Sequence, residues 1–254
     1  MKTVNIEKKI IALLLILSIV IMVPENRVFA AGKKEKVYVI TKVTVDGGNR
    51  VMKYNYSANG LITKVTDSVK SGTHTISYSG TKIKKRTFKD YNYAYGYNNK
   101  GQLINVKFSN QWKRDHEYYL TFEYDKNNRI KFYNMSNARN ESYKIIYDKK
   151  GRVDRQKNEK TTIKYSYNDK GYVKQEKITS LSLFGKNTEK ITYKYKYNKG
   201  GLVTEVTSNN GHSTTVKKIE YKLISISKTY SKVIKEQQDS LLGIPNNTFF
   251  QMTD

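Results

Sequence analysis

The fold is decided by segments such as Tyr91-Asn92-Tyr93-Ala94-Tyr95-Gly96-Tyr97-Asn98-Asn99-Lys100-Gly101-Gln102-Leu103. Tyrosine occupies every second position of the first half, and a period of two places alternate side chains on opposite faces of a β-strand. The second half has the chemistry of a turn, because Asn98 can bond a backbone N–H two residues on and Gly101 tolerates positive φ. The segment therefore predicts a strand, a type I turn closed by a bulge, and a returning strand.

The same turn recurs along the chain, with leading tyrosines at 56, 78, 97, 124, 147, 167 and 197. Asn128 stands where the other full turns have glycine, and asparagine is the next residue to tolerate that conformation. The Tyr78 turn is shortened to two residues. Aliphatic residues follow at the second and often the fifth place after the glycine, which requires either a bulge or partial cover of both faces. We assign a structural turn role to Gly60, Gly101, Asn128, Gly151, Gly171 and Gly201.

These hairpins predict an all-β fold, an antiparallel meander of about sixteen strands. Open sheets of more than about ten strands curl, so we expect a single curved shell or spiral with its aromatic face inward. Whether the sheet closes or stays open is not determined by the pattern. Residues Ser231 to Leu242 have near-helical apolar spacing, with Gly243 and Pro245 as stop signals. We expect a short C-terminal helix that covers the edge of the last strand.

The N-terminus has the parts of a secretory signal peptide: an early lysine-rich region, an apolar run from Ile10 to Val23, and Val28-Phe29-Ala30 as a cleavage site. Fourteen apolar residues in a helix reach about 21 Å, short of a hydrocarbon core of about 30 Å, which favours cleavage over anchoring. We therefore assign 1–30 to the signal, 31–230 to the repeats, and 231–254 to the helix and tail. An extracellular protein without a later transmembrane segment is expected, and association with the cell wall stays open.

The chain has 47 basic and 22 acidic residues and no cysteine. Disulfides and Cys-ligated metals are thereby excluded. The positive electrostatic field of such a chain attracts polyanions, although dispersed lysines also serve simply to keep a Tyr-rich sheet in solution. An anionic glycan or cell-wall polymer is the partner we expect, a protein partner is the alternative, and specific nucleic-acid binding is not expected. The candidate ligand-binding residues are Tyr93, Tyr95, Trp112, Lys113, Arg114, Lys194 and Lys196. For the tyrosines, the pattern favours a place in the sheet's own core over a ligand platform.

The pattern Tyr-x-Tyr-Asn/Asp-x-x-Gly-x-Leu/Val resembles the YD repeat of the RHS family. It is carried by residues 54–65, 95–106, 122–133, 145–156, 165–176 and 195–206. The resemblance implies a spiralling β-sheet, which in large members encloses a toxic C-terminal domain, and an association with carbohydrate binding and cell-surface contact. From the length of this chain we expect neither a cocoon nor a toxin domain.

A catalytic constellation is not visible in the sequence. The three histidines are His74, His116 and His212, and only His116 has carboxylates beside it, at Asp115 and Glu117. Consecutive strand residues point to opposite faces, so these three side chains do not converge. We predict a secreted, non-enzymatic protein without cofactor or metal that binds anionic carbohydrate polymers of a cell surface or wall. The alternative is a structural or interaction shell that pairs with another secreted protein through an open sheet edge or the helix.

Overall fold

The computed structural model describes residues 33–69, 72–110, 117–136, 141–182 and 185–245. These residues form sixteen strands and one α-helix. The strands are β1 Lys34–Val45, β2 Arg50–Tyr56, β3 Ile62–Asp67, β4 Gly72–Ser79, β5 Lys82–Phe88, β6 Tyr91–Tyr97, β7 Leu103–Asn110, β8 Tyr118–Tyr124, β9 Ile130–Met135, β10 Glu141–Tyr147, β11 Val153–Lys157, β12 Thr161–Tyr167, β13 Val173–Ser182, β14 Gly185–Tyr197, β15 Val203–Asn209 and β16 Thr214–Ser227, and the helix is α1 Ser231–Leu241. The predicted signal segment 1–30 lies outside the described residues.

Every strand pairs antiparallel with its neighbour in the chain, and β1 also pairs with β16, from Lys34 opposite Ser227 to Val45 opposite Lys217. The sheet is therefore a closed barrel. The prediction of an all-β, antiparallel curved shell of hairpins with a short C-terminal helix is confirmed, and closure settles what the pattern left open. The predicted role of the helix was wrong, because the first and last strands cover each other's edges.

The turns have the geometry that their residues predict. In the first, the Gly60 N–H donates to the Ser57 carbonyl and the Ser57 N–H donates to the Leu61 carbonyl, both at 2.9 Å. This is a type I turn followed by a bulge. At Asn98 the side-chain oxygen accepts from two backbone N–H groups, each at 3.0 Å. The six turn residues have φ between +62° at Asn128 and +86° at Gly171.

A second irregularity follows each turn and explains the aliphatic spacing of three. Tyr97 lies opposite Leu103, but Gly96 lies opposite Asn105, so Ile104 is an extra residue in β7. A bulged residue shifts the alternation by one, and Leu103 and Val106 both become buried on the inner side. Of the two explanations left open by the sequence, the bulge is the correct one.

The inner face of the barrel is lined by aliphatic and tyrosine side chains, and the tyrosines also join neighbouring repeats. β7 pairs with β8 only from Asn105 onward, so the Leu103 carbonyl lies beyond that ladder. The Tyr124 hydroxyl donates to it at 3.0 Å. Equivalent bonds run from Tyr78 to Ile62, Tyr97 to Ile83, Tyr147 to Ile130, Tyr167 to Val153, Tyr195 to Val173 and Tyr221 to Val203. Buried carbonyls need donors, and these hydroxyls supply them.

Helix α1 packs at the end of the barrel where the turns lie. Ile234 is buried with Ile226 and Leu61. Gln238 accepts from the Ile40 N–H at 2.6 Å, and Gln237 donates to the Tyr78 hydroxyl at 3.0 Å. The helix therefore packs against the tyrosine-lined end of the barrel and does not cover an edge of the sheet. Within the described residues, no helix is both long and apolar enough to cross a membrane.

Candidate functional site

The two predicted ligand-binding tyrosines lie on the inner face of β6. Tyr95 is buried, with 9% of its surface exposed. Tyr93 packs edge-on against Phe108, with ring centroids 4.7 Å apart, and the Arg86 guanidinium lies 4.5 Å from its ring centre. Both side chains therefore belong to the packed interior, the second of the two roles that the sequence left open for them.

The predicted cationic ligand residues divide into two sets. Trp112, Lys113 and Arg114 lie outside the described residues. Lys194 and Lys196 are exposed on the outer face of β14. Lys196 forms an ion pair with Glu205 at 2.8 Å. The structure does not bring these lysines together with Tyr93 and Tyr95, because the two groups stand on opposite faces of the sheet.

The outer face carries a cationic row that sequence reasoning missed. Arg155 lies opposite Lys164, Lys164 opposite Lys177, and Lys177 opposite Lys190. We call these four residues, on β11 to β14, the cationic row. Adjacent strands are about 4.8 Å apart, so the row extends about 14 Å across the sheet. Like charges directly opposite each other are destabilising, so the alignment of these four cations has an energetic cost.

Most of the positive charge of the row is not neutralised by the protein. Arg155 donates to the Asp154 carboxylate at 2.8 Å. In the part of the chain that the structure describes, Lys164, Lys177 and Lys190 form no ion pair, and all three are exposed. Elsewhere on the outer face lysines do find carboxylates, as in the pair between Lys42 and Glu220 at 2.8 Å. A second pair of directly opposed lysines, Lys144 and Lys157, borders the row.

A second polar region lies inside the barrel. The Tyr133 hydroxyl donates to Gln156 Oε1 at 3.2 Å, and Gln156 Nε2 donates to the Tyr165 hydroxyl at 2.9 Å. Glu176 lies on the next strand, β13, and its Oε1 accepts a hydrogen bond from the Tyr193 hydroxyl of β14 at 2.9 Å. Burial raises the pKa of the Glu176 carboxyl above its ordinary value. The inner wall from β9 to β14 is thus a line of hydroxyl, amide and carboxyl groups.

Lys217 on β16 faces the same lumen. Desolvation by the surrounding protein, with the positive charge of Arg50, lowers the pKa of Lys217. Glu176 and Lys217 both line a cavity of about 150 Å³, together with Tyr165, Tyr193 and Tyr195 and the C-terminal residues Leu241, Leu242, Gly243 and Pro245. Burial of charge is costly unless it is paired or hydrogen-bonded. Glu176 is partly buried and Lys217 keeps access to solvent, and both are exceptions to the apolar inner face.

Sequence reasoning could have found the lumenal groups but not the row. The fifth residue after the turn glycine is Val65, Val106 or Val206 in three repeats, whereas it is Gln156 and Glu176 in two others. A charged residue at a position that the repeat keeps apolar is a readable signal. The cationic row depends on the pairing register across four strands, which the bulges set.

Metal-ligand chemistry finds little support. Within the described residues there is no group of three His, Cys, Asp or Glu side chains that could hold a metal ion. His74 is buried, stacks on Phe88 with ring centroids 4.1 Å apart and accepts a hydrogen bond from Arg86 Nε at 3.2 Å. His116 lies outside the described residues, and His212 is exposed in a turn.

Comparison with known proteins shows similarity of fold. No family model matches the chain, and no curated protein matches it. A porin-like protein from Bacteroides uniformis is 14% identical with a TM-score of 0.50, and the match covers 72% of this chain and 96% of that one. A TcdB2–TccC3–Cdc42 structure is 13% identical with a TM-score of 0.33, covering 65% of this chain and 10% of that one. The Photorhabdus luminescens Tc holotoxin pore is 13% identical with a TM-score of 0.31, covering 67% and 9%.

These likenesses are weak. At such identities the porin-like match shows a shared architecture alone, and the toxin matches, with TM-scores below 0.5, add nothing to it. The chain spans about a tenth of the length of the toxin chains. The relation to the YD repeat therefore remains a resemblance of sequence.

Proposed function

We propose that this protein is a secreted, non-enzymatic module that binds anionic carbohydrate polymers of a cell surface or wall through the cationic row. The observation that supports the proposal is the direct opposition of Arg155, Lys164, Lys177 and Lys190 on four adjacent strands. An anionic polymer laid across the strands would contact one cation about every 4.8 Å. Its charge would relieve the repulsion within the row, which a single small anion could do for only part of it.

The alignment of the cationic row favours one orientation of a bound polymer, which the net positive charge of the protein does not do by itself. A net charge of +25 attracts any polyanion from a distance. Long-range attraction alone does not choose a partner, because its strength depends on total charge. A linear array of unpaired lysines on a rigid sheet favours an extended chain whose charges repeat along one axis. Binding of this kind releases counterions and weakens steeply with salt.

The test compares two triple variants of equal net charge. Lys164→Gln/Lys177→Gln/Lys190→Gln removes three cations from the row. Lys36→Gln/Lys64→Gln/Lys85→Gln removes three exposed lysines from β1, β3 and β5, where each faces only neutral residues on the paired strands. Binding to purified cell wall and to a soluble polyuronate is measured at two salt concentrations.

We expect the row variant to lose at least about tenfold in affinity and the control less than about threefold. The slope of log affinity against log salt should fall by on the order of two to three in the row variant. Equal losses in the two variants, or wild-type binding that salt does not change, would refute the proposal.

The alternative, a shell that pairs with another secreted protein, gains no specific support. Its expected route was an open sheet edge, and β1 and β16 pair with each other along their lengths. Its second route was the helix, whose apolar residue Ile234 is already buried against the barrel.

A further inference from the structure

The charged pair inside the barrel departs from the repeat that surrounds it. Glu176 takes the inward position held by Val106 in an earlier repeat. Lys217 stands four residues before Tyr221, and the same position before Tyr56 is Met52. Apolar side chains fit both sites elsewhere in this barrel. A charge on this inner face loses part of its hydration, a cost that the apolar residues do not have, and the cost is larger for Glu176 than for the more exposed Lys217.

The protein itself offsets these charges only in part. Glu176 accepts one hydrogen bond, from the Tyr193 hydroxyl at 2.9 Å. Among the described residues, no acceptor lies within hydrogen-bond distance of Lys217 Nζ, and no ion pair joins Lys217 to Glu176. Lys217 stays accessible to water although it lines the cavity. The two groups thus face one space from β13 and β16 without meeting.

The cavity between them has a polarity as well as a size. Arg50 and Lys217 lie opposite the same residue, Val45, from the two strands that flank β1. Arg50 is bound to the buried carboxylate of Asp67. Arg50 therefore does not line the cavity, whose charged groups are Lys217 on β16 and Glu176 on β13. The volume of about 150 Å³ is comparable to a cavity that accepts a benzene-sized molecule.

We propose that this lumenal cavity binds a compact zwitterion of the size of a small amino acid, with its carboxylate on Lys217 and its ammonium on Glu176. A simple anion would be repelled by Glu176, and a neutral apolar guest would leave both charges desolvated. A zwitterion satisfies both ends at once. The rings of Tyr165, Tyr193 and Tyr195 line the space between, where aromatic faces stabilise an ammonium group and pack against a short aliphatic stem.

The experiment uses the full-length protein and isothermal titration calorimetry. The probes are glycine, alanine, β-alanine and γ-aminobutyrate, with acetate and methylamine as singly charged controls. We expect at least one zwitterion to bind and both singly charged controls to bind at least tenfold more weakly. Failure of all four zwitterions to bind, or equal binding of acetate, would overturn the proposal and leave a cavity that holds solvent only.

Two variants test the assigned contacts with little risk to folding, because the barrel already uses their replacements at equivalent positions. Lys217→Met repeats Met52, and Glu176→Gln repeats Gln156. Each should reduce zwitterion affinity at least tenfold, whereas Lys218→Met, on the adjacent exposed residue, should leave it unchanged. Unchanged affinity in both lumenal variants would also overturn the assignment. The triple variant of the cationic row should bind the zwitterion normally, which keeps this proposal separable from polymer binding.

Discussion

Substitution of Gly60 by alanine should destabilise the barrel by two effects that a second glycine separates. Gly60 has φ +79° and Gly171 has φ +86°, so alanine is strained at both. That strain costs roughly 1–2 kcal/mol in the free energy of unfolding. A Cβ at Gly60 would also lie 2.7 Å from Ile234 Cδ1 and 2.8 Å from Ile226 Cγ2, whereas a Cβ at Gly171 would have no neighbour within 4 Å.

The crowding at Gly60 is not easily relieved. Ile234 and Ile226 are 2% and 1% exposed, so neither has space to move into. The Ile226 methyl is attached at the branched Cβ and moves only if χ1 changes. Overpacking of this kind costs roughly 1–3 kcal/mol. We therefore expect Gly60→Ala to lose about 2–5 kcal/mol and Gly171→Ala about 1–2 kcal/mol, since backbone strain is common to both.

Urea unfolding followed by circular dichroism and by tyrosine fluorescence measures both losses. The entropic effect of replacing glycine in the unfolded chain is the same for the two variants and cancels in their difference. Asparagine sharpens the comparison, because Asn128 already occupies the equivalent place with φ +62°. Gly171→Asn should be close to neutral, and Gly60→Asn should still be destabilised by its Cβ. A loss at Gly60 no larger than that at Gly171 would refute the packing of α1 against this turn.

Two further predictions concern the tyrosines. Tyr147→Phe should lower the free energy of unfolding by about 0.5–1.5 kcal/mol, because the Ile130 carbonyl loses a donor at 2.7 Å. Tyr38→Phe, on a side chain that is 51% exposed, is the control and should change nothing measurable in urea unfolding. Burial also raises the pKa of Tyr54 to about 12 and of Tyr95 to about 12. Because the folded state prefers the neutral phenol, stability from these groups is complete below about pH 10 and is lost as the pH rises towards 12. An ultraviolet titration should show one group of exposed tyrosines that ionise near the ordinary pKa and a second group that ionise at higher pH as the protein unfolds. Ionisation of all tyrosines at the ordinary pKa would contradict the burial of Tyr54 and Tyr95.

Local chemistry made much of this fold predictable. The turn residues and the alternation of tyrosine act over fewer than ten positions, so strand number, turn type and the bounds of the helix could be derived from the residues alone. The bulge after each turn was visible as aliphatic spacing such as Leu103 and Val106. Closure was not visible, because it depends on the summed twist and register of all sixteen strands and on a match between β1 and β16.

The candidate sites also differ in whether local sequence or strand pairing determines them. Glu176 could be singled out from the sequence because the equivalent position in three other repeats is valine. The cationic row could not, since Lys164 and Lys190 become aligned only through the pairing of β12, β13 and β14. The predicted grouping of Tyr93 with outer-face lysines fails for a related reason. Alternation assigns two faces, but it does not say which strands share a patch.

The pairing of the first strand with the last has a kinetic consequence. Each hairpin can form from residues close together in the chain, but closure joins segments as distant as Ile40 and Gln238, 198 residues apart. Contacts of such high sequence separation form late, since the entropy of a long loop must be overcome before they contribute. Until β16 and α1 are available, β1 presents an unpaired edge that can template association with another chain. Pairing of β16 and α1 with β1 is therefore the step that closes the barrel and removes this edge.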